Sequence, residues 1–186
     1  MTRYGMLINT KRCVGCYACR LACQMNNSLP AKDSYIRFET HETGTYPEVS
    51  TMQIPTQCVH CEDAPCVSVC PTGASHTTAE GAVVVDAERC ITCLYCMSAC
   101  PYGVRIIDDK TGVPEKCRFC VLDEKDDSQP SPACVSTCIT GARVFGDIDD
   151  PESDVSKAIA QYNAKSVSSA TSKTKVFYPE ETYGFL

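Results

Sequence analysis

Sixteen cysteines fall into four groups of four, and every group opens with Cys-x-x-Cys. Group one is Cys13, Cys16, Cys19 and Cys23; group two is Cys58, Cys61, Cys66 and Cys70. Group three is Cys90, Cys93, Cys96 and Cys100; group four is Cys117, Cys120, Cys134 and Cys138. Cysteine this dense has two common causes, a disulfide framework or metal ligation. Four copies of one local pattern suit a repeated inorganic ligand site and not a disulfide net.

The spacing narrows the metal. Groups one and three read Cys-x2-Cys-x2-Cys-x3-Cys, the run that binds a [4Fe–4S] cluster in bacterial ferredoxins, and Pro101 completes it in group three. Groups two and four widen the gap between their second and third cysteines. A compact loop supplies three thiolates to a cube; in a two-cluster ferredoxin the fourth comes from the partner group. Groups two and three are close in sequence and pair as one such ferredoxin. Cys58, Cys61, Cys66 and Cys100 then hold one cluster, and Cys90, Cys93, Cys96 and Cys70 the next. Groups one and four pair across the whole sequence, with Cys13, Cys16, Cys19 and Cys138 in one set and Cys117, Cys120, Cys134 and Cys23 in the other. Four [4Fe–4S] clusters use every cysteine and leave none spare. A structural zinc protein is the rival, since four-cysteine zinc sites also use Cys-x-x-Cys knuckles; metal analysis separates the two.

The expected fold is α+β and ferredoxin-like: two nested bacterial 2[4Fe–4S] units, with short β-hairpins and loops around the clusters. Residues 1–150 form the four-cluster domain, with 57–108 as the inner unit and 3–56 plus 109–150 as the outer one. Strands are expected at Arg3–Ile8, Ala82–Asp86 and Val104–Asp108. Gly141–Gly146 is a strand that could pair back with the first, and Ile36–Thr40 with Thr51–Ile54 form a hairpin turning near Gly44 and Pro47. Residues 151–186 are expected to hold a helix, a linker and a docking tail. Asp150 is the expected N-cap and Pro151 the first helical residue, with Val155, Ala158, Ile159 and Tyr162 on one face. Lys165–Lys175 reads as a linker. Val176-Phe177-Tyr178 and Tyr183-Gly184-Phe185-Leu186 make an apolar tail that packs on its own domain or docks on a partner subunit.

Charge flanks the groups unevenly. Arg12, Arg89 and Lys116 directly precede the first cysteine of groups one, three and four, whereas group two has Gln57 there and Glu62 and Asp63 inside its loop. Cations favour the more negative, reduced cluster, so the Cys58/Cys61/Cys66/Cys100 cluster is expected to have the lowest potential. His60 reads as a hydrogen-bond donor near a cluster, and Tyr17 and Tyr95 as shields against water. Asp123–Asp127 reads as a solvated acidic loop.

Several functions are excluded. A net charge of −6 argues against a nucleic-acid partner. No apolar window is long enough to cross a bilayer, so no direct membrane span is expected. No signal peptide or twin-Arg motif is visible before Lys11 and Arg12; the chain is expected to be cytoplasmic or to be exported bound to a signal-bearing subunit. No nucleophile–base constellation or Gly-rich nucleotide loop appears, so the chain is not expected to be an enzyme by itself.

Over about residues 3–150 the four groups, in this order, resemble the four-cluster iron–sulfur (B) subunits of the dimethyl sulfoxide reductase, or molybdopterin oxidoreductase, superfamily. The stretches that carry the resemblance are Cys58-Val-His-Cys-Glu-Asp-Ala-Pro-Cys-Val-Ser-Val-Cys-Pro-Thr-Gly-Ala-Ser75, Cys96-Met-Ser-Ala-Cys-Pro-Tyr-Gly-Val-Arg105 and Ala142-Arg-Val-Phe-Gly-Asp147. They look most like polysulfide and thiosulfate reductase B subunits. The resemblance implies an electron-transfer role, linking a catalytic molybdopterin (Mo or W) subunit to a membrane quinone-binding subunit, with the group one/four unit on the catalytic side. It also implies the nested ligand pairing, and carriage to the periplasmic or extracytoplasmic face as a passenger of the catalytic subunit. The alternative is a free-standing polyferredoxin that shuttles electrons between soluble enzymes.

Overall fold

The computed structural model describes residues 2–121, 131–167, 172–183 and 185. Its largest sheet has four strands: β1 (Tyr4–Ile8), β8 (Arg143–Asp147), β9 (Lys165–Ser166) and β10 (Val176–Tyr178). Their order is β8-β1-β10-β9, with β8 antiparallel and β10 parallel to β1. Met6, Leu7 and Ile8 are all fully buried, so this strand is covered on both faces. Met6 and Ile8 point into the cysteine-rich core; the intervening Leu7 therefore points to the other face. Helix α5 (Asp154–Gln161) packs against β8 and β1, with Val155 fully buried against Gly146.

Everything else is short. Helix α1 (Ala18–Asn26) runs nine residues, but α2 (Pro65–Ser68), α3 (Tyr95–Ser98) and α4 (Ala133–Ser136) have four each. Strands β4 (Ser75–Thr77) with β5 (Val83–Val85), and β6 (Ile106–Ile107) with β7 (Pro114–Glu115), form two-stranded ladders. The third cysteine of every group lies inside one of the four helices; the fourth follows one turn later. Helix α1 packs on α4, and α2 on α3.

The hairpin is longer than the sequence suggests: β2 (Arg37–Thr45) pairs with β3 (Glu48–Thr56) along their full lengths. Its outer half is polar on both faces and exposed, so no alternation marks it. Gly44 is required there, because φ is +94° and a Cβ would sit 2.1 Å from the Glu48 carbonyl oxygen.

The C-terminal segment departs from expectation in two ways. Helix α5 starts three residues late. Asp150 accepts from the Glu152 N–H at 2.9 Å and so closes a turn, while Ser153 takes the cap and accepts from the Ser156 N–H at 3.2 Å. The described ends of Lys165–Lys175 are bolted down and not a free linker. β9 pairs with β10, Ser172 accepts from the Asp63 N–H at 3.0 Å, and the Lys175 N–H reaches the Val59 carbonyl at 2.9 Å. Val176–Tyr178 is an inner strand of the sheet, and Thr182 is buried with its hydroxyl 2.7 Å from that of Thr10. These residues pack on their own domain, the first of the two expected alternatives. Asp123–Asp127, Gly184 and Leu186 lie outside the described residues.

Gly5 lets β1 sit between its neighbours. A Cβ there would come within 2.4 Å of the Ile148 Cγ2 and 3.0 Å of the Lys175 carbonyl oxygen. Overpacking of this kind costs about 1–3 kcal/mol. Gly5→Ala should lower the thermal midpoint by about 2–4 °C for each kcal/mol lost; an unchanged melting curve would show that β10 can shift freely.

Candidate metal centres

One loop conformation recurs at all four groups. The residue just before the second cysteine is left-handed every time: Gly15, His60, Thr92 and Phe119, with φ of 63°, 47°, 53° and 57°. Only one of the four is glycine, so three side chains tolerate a strained backbone; such strain persists where the surroundings enforce it and clusters at functional sites. The turn aims backbone N–H groups inward: Thr92 donates to the Cys90 sulfur at 3.4 Å, and Gly15 and Phe119 donate likewise to Cys13 and Cys117. Successive N–H groups in such a turn make a concavity for an anion.

A second cradle surrounds the last cysteine of groups two and four, where the sequences run Cys70-Pro-Thr-Gly-Ala and Cys138-Ile-Thr-Gly-Ala. Burial opposes ionisation of both thiols. Backbone N–H groups and the hydroxyls of Thr72 and Thr140 outweigh it and hold both pKa values below the ordinary thiol value.

The structure gathers the cysteines across groups. Cys58, Cys61 and Cys66 line a cavity together with Cys100 of group three. Cys90, Cys93 and Cys96 line another with Cys70 of group two. Cys117, Cys120 and Cys134 line a third with Cys23 of group one. Around group one, burial raises the pKa of Cys13, and Cys19 and Cys138 are both near enough to raise it further. Cys16 and Cys93 are exposed to solvent.

None of the sixteen cysteines is paired in a disulfide. Burial and neighbouring thiols push Cys23 up to about 12 and Cys61 up to about 11, and raise Cys117 well above its ordinary value. A metal centre deprotonates a coordinating thiol outright and so overcomes this opposition. Among the described residues no three Cys, His, Asp or Glu side chains converge on a point that a single ion could occupy. A zinc site would need its sulfurs at about 2.3 Å from one centre. Three of the quartets each line a space instead, which suits a polynuclear cluster.

The buried charges point the same way. Arg105, Lys116, Arg143 and Lys175 are buried, and among the described residues no Asp or Glu is buried with them. In a chain of net charge −6 this selective burial of cations calls for anionic groups inside. Arg105 lines both the Cys58 and the Cys90 cavities. Lys116 lines the Cys58 cavity and donates to the carbonyls of Val83 and Cys117.

Other sequence expectations are corrected here. Of the three cations that precede a first cysteine, only Lys116 is buried; Arg89 instead donates to the Thr72 carbonyl at 2.7 Å. Glu62 is drawn outward to Arg3 at 2.6 Å. Arg105 and Lys116 line the cavity that Glu62 was expected to make the least reducible, so its charge balance is the reverse of that reading. His60 accepts at Nδ1 from the Val83 N–H at 3.0 Å, which leaves the ring proton on its buried Nε2. Its fully buried ring stacks on Phe119 with centroids 3.6 Å apart, and burial followed by the nearby Lys116 and Lys175 keeps it neutral. Tyr17 stacks on Phe38 at 4.2 Å, whereas Tyr95 is 64% exposed. The roles of Arg105 and Arg143 were not read from the sequence, although each stands five residues after the last cysteine of its group.

Comparison with known proteins agrees with this arrangement. A family model described as a 4Fe–4S dicluster domain matches residues 49–148, and a second of the same description matches residues 8–75. The B subunit of the polysulfide reductase of Wolinella succinogenes is 42% identical over 85% of this sequence and 83% of its own. The thiosulfate reductase electron transfer subunit of Salmonella typhi is 45% identical, over 81% of this sequence and 79% of its own. The B subunit of the sulfite dehydrogenase of Allochromatium vinosum is 40% identical over 87% and 75%. This protein belongs to the 4Fe–4S dicluster family and, within it, to the iron–sulfur B subunits of the molybdopterin oxidoreductases.

Proposed function

We propose that this chain is the non-catalytic electron-transfer subunit of an oxidoreductase complex, holding four [4Fe–4S] clusters between a catalytic molybdopterin subunit and a membrane quinone-binding subunit. The observation that carries the reading is the lining of three cavities by four cysteines each, always three from one group and one from another. The ligand sets are Cys13/Cys16/Cys19/Cys138, Cys117/Cys120/Cys134/Cys23, Cys58/Cys61/Cys66/Cys100 and Cys90/Cys93/Cys96/Cys70. The packing of α1 on α4 and of α2 on α3 supports two ferredoxin units, one nested in the other. When bound, each cluster supplies one-electron chemistry with all its protein positions filled by thiolates.

The residues between the sets give them an order. Arg143 is close to Cys19 of the first set and Cys134 of the second. Lys116 and the His60–Phe119 stack join the second set to the third, and Arg105 joins the third to the fourth. Cys58, Cys61, Cys66, Cys117 and Cys134 are buried, which keeps water from the middle of the line. Cys16 and Cys93 are exposed at its two ends, ringed by the exposed Val14 and Tyr17 at one and Ile91 and Tyr95 at the other. By analogy with the family, the Cys16 end faces the catalytic subunit and the Cys93 end the membrane partner. Among the described residues no helix is long and apolar enough to cross a membrane, which accords with a separate membrane subunit.

An anaerobic iron, sulfide and zinc count, with EPR of the reduced protein, tests the reading. About 16 iron and about 16 sulfide per chain, with interacting paramagnetic signals, are expected. Stoichiometric zinc without sulfide would overturn it, and about 12 iron would mean that one ligand set is wrong.

A further inference from the structure

Arg105 and Arg143 are placed alike. Each stands five residues beyond the fourth cysteine of its group, in Cys100-Pro-Tyr-Gly-Val-Arg105 and Cys138-Ile-Thr-Gly-Ala-Arg143. Each is 3% exposed. Arg143 donates from Nη1 to the Gln57 Oε1 at 2.7 Å and lies 3.4 Å from the Met6 sulfur and 3.9 Å from the Cys134 sulfur. Arg105 donates from Nη2 to the Ser75 Oγ at 2.8 Å. These oxygen partners are neutral.

What surrounds the two guanidiniums is sulfur. Burial disfavours the Arg143 cation, yet Cys134 on one side and Cys19 on the other, with Tyr178 and Cys117, more than offset it. For Arg105 the same offset comes from Cys66 and Cys58 on one side and Cys96 on the other. In each case the sulfurs belong to two different ligand sets. The corresponding position in the other half of the inner unit, five residues after Cys70, is Ser75, the residue that Arg105 holds. Each ferredoxin unit therefore has one guanidinium beside cysteines of both its ligand sets.

We propose that Arg105 and Arg143 are paired potential-setting residues, each raising the midpoint potentials of the two clusters that flank it. The proposal rests on the cluster assignment above. An electron delivered by a partner protein adds one negative charge to a cluster, and no atom need move. A fixed cation between two clusters stabilises that charge on either of them, and in a dry interior it acts with little screening. Arg143 thereby sets the Cys13 and Cys117 clusters together, and Arg105 the Cys58 and Cys90 clusters. The chain thus tunes its line of clusters in two blocks, through residues that are not ligands.

The test is an EPR-monitored potentiometric titration of the full chain, in its complex and under anaerobic conditions. In Arg143→Gln, two of the four midpoints should fall, each by at least tenfold in the reduction equilibrium, about 59 mV for a one-electron couple. Arg105→Gln should lower the complementary two. Arg143→Lys keeps the charge and should hold both midpoints nearer to the wild-type values. Gln57→Glu provides a second route if Arg143→Gln fails to load its clusters: it sets a carboxylate beside the intact guanidinium and should lower the same pair. Full iron content with unmoved midpoints in the Gln57→Glu and Arg→Gln variants would overturn the proposal, as would equal shifts of all four clusters in both Arg→Gln variants. Wild-type protein without cluster signals would instead strike down the cluster assignment itself.

Discussion

Stripping the iron from the anaerobically purified chain with a chelator is expected to unfold most of it. Helices α2, α3 and α4 have four residues each, far below the ~12–15 that make an isolated helix even marginal. Three of the four sheets are two-stranded, and an isolated two-stranded ladder is marginal at best in water. The core that should hold these pieces consists in good part of Cys19, Cys23, Cys58, Cys61, Cys66, Cys117 and Cys134. Without metal, three cysteine-lined cavities lose what fills them, and four buried cations lose their counter-charge. Metal binding by small structural sites is worth about 10–16 kcal/mol at neutral pH, and a domain's whole stability is about 5–15 kcal/mol. Losing all the centres together therefore removes at least as much as the whole stability. Circular dichroism and limited proteolysis should both report the collapse, and the four-stranded sheet with α5 is expected to be cut last. An apo chain that still melts cooperatively near the holo midpoint would show that the protein scaffold, not the metal, carries the fold.

The sequence made the metal chemistry plain because cysteine ligation is local: three donors come from one loop, so spacing alone reports them. The antiparallel pairing of Arg143–Asp147 with the first strand was also legible, since both flank cysteine groups whose pairing draws them together. The parallel strand Val176–Tyr178 was not. It meets β1 at Met6 and Leu7 from the far end of the chain, and nothing in a three-residue apolar run says which edge it will join. Helix α5 was found on the periodicity of Val155, Ala158, Ile159 and Tyr162, yet its start was misplaced. Asp150 and Ser153 are both good caps, and only the turn closed by Asp150 decides between them. Charges adjacent to a cysteine in sequence misled as well. Arg89 bonds a surface carbonyl and Glu62 turns to Arg3, while the effective cations arrive five residues downstream of a ligand. A repeated Gly-x-Arg ending after Cys100 and Cys138 was the visible signal for them; its meaning depends on how two groups pack, which spacing within one group cannot express.

Pairwise loss of ligands should read out the nested pairing directly. A Cys13→Ala variant and a Cys138→Ala variant each remove a ligand from the same proposed cluster, although these are the first and the last cysteines of the sequence. If either substitution costs that cluster, each single variant and the Cys13→Ala/Cys138→Ala double variant should all retain about 12 iron per chain. The second lesion has nothing left to remove, so the two effects do not add. Cys117→Ala combined with Cys138→Ala strikes two clusters and should leave about 8 iron, although these two cysteines belong to one group. Sequential pairing within groups predicts the opposite pattern, with the Cys13/Cys138 double losing two clusters and the Cys117/Cys138 double losing one. The four-ligand cavity shared by Cys117, Cys120, Cys134 and Cys23 favours the nested result, because Cys138 is absent from its lining while Cys23 of group one takes the fourth place. Iron and sulfide counts on the two double variants, backed by the number of spins in the reduced proteins, decide between the two pairings without any need to know which signal belongs to which cluster.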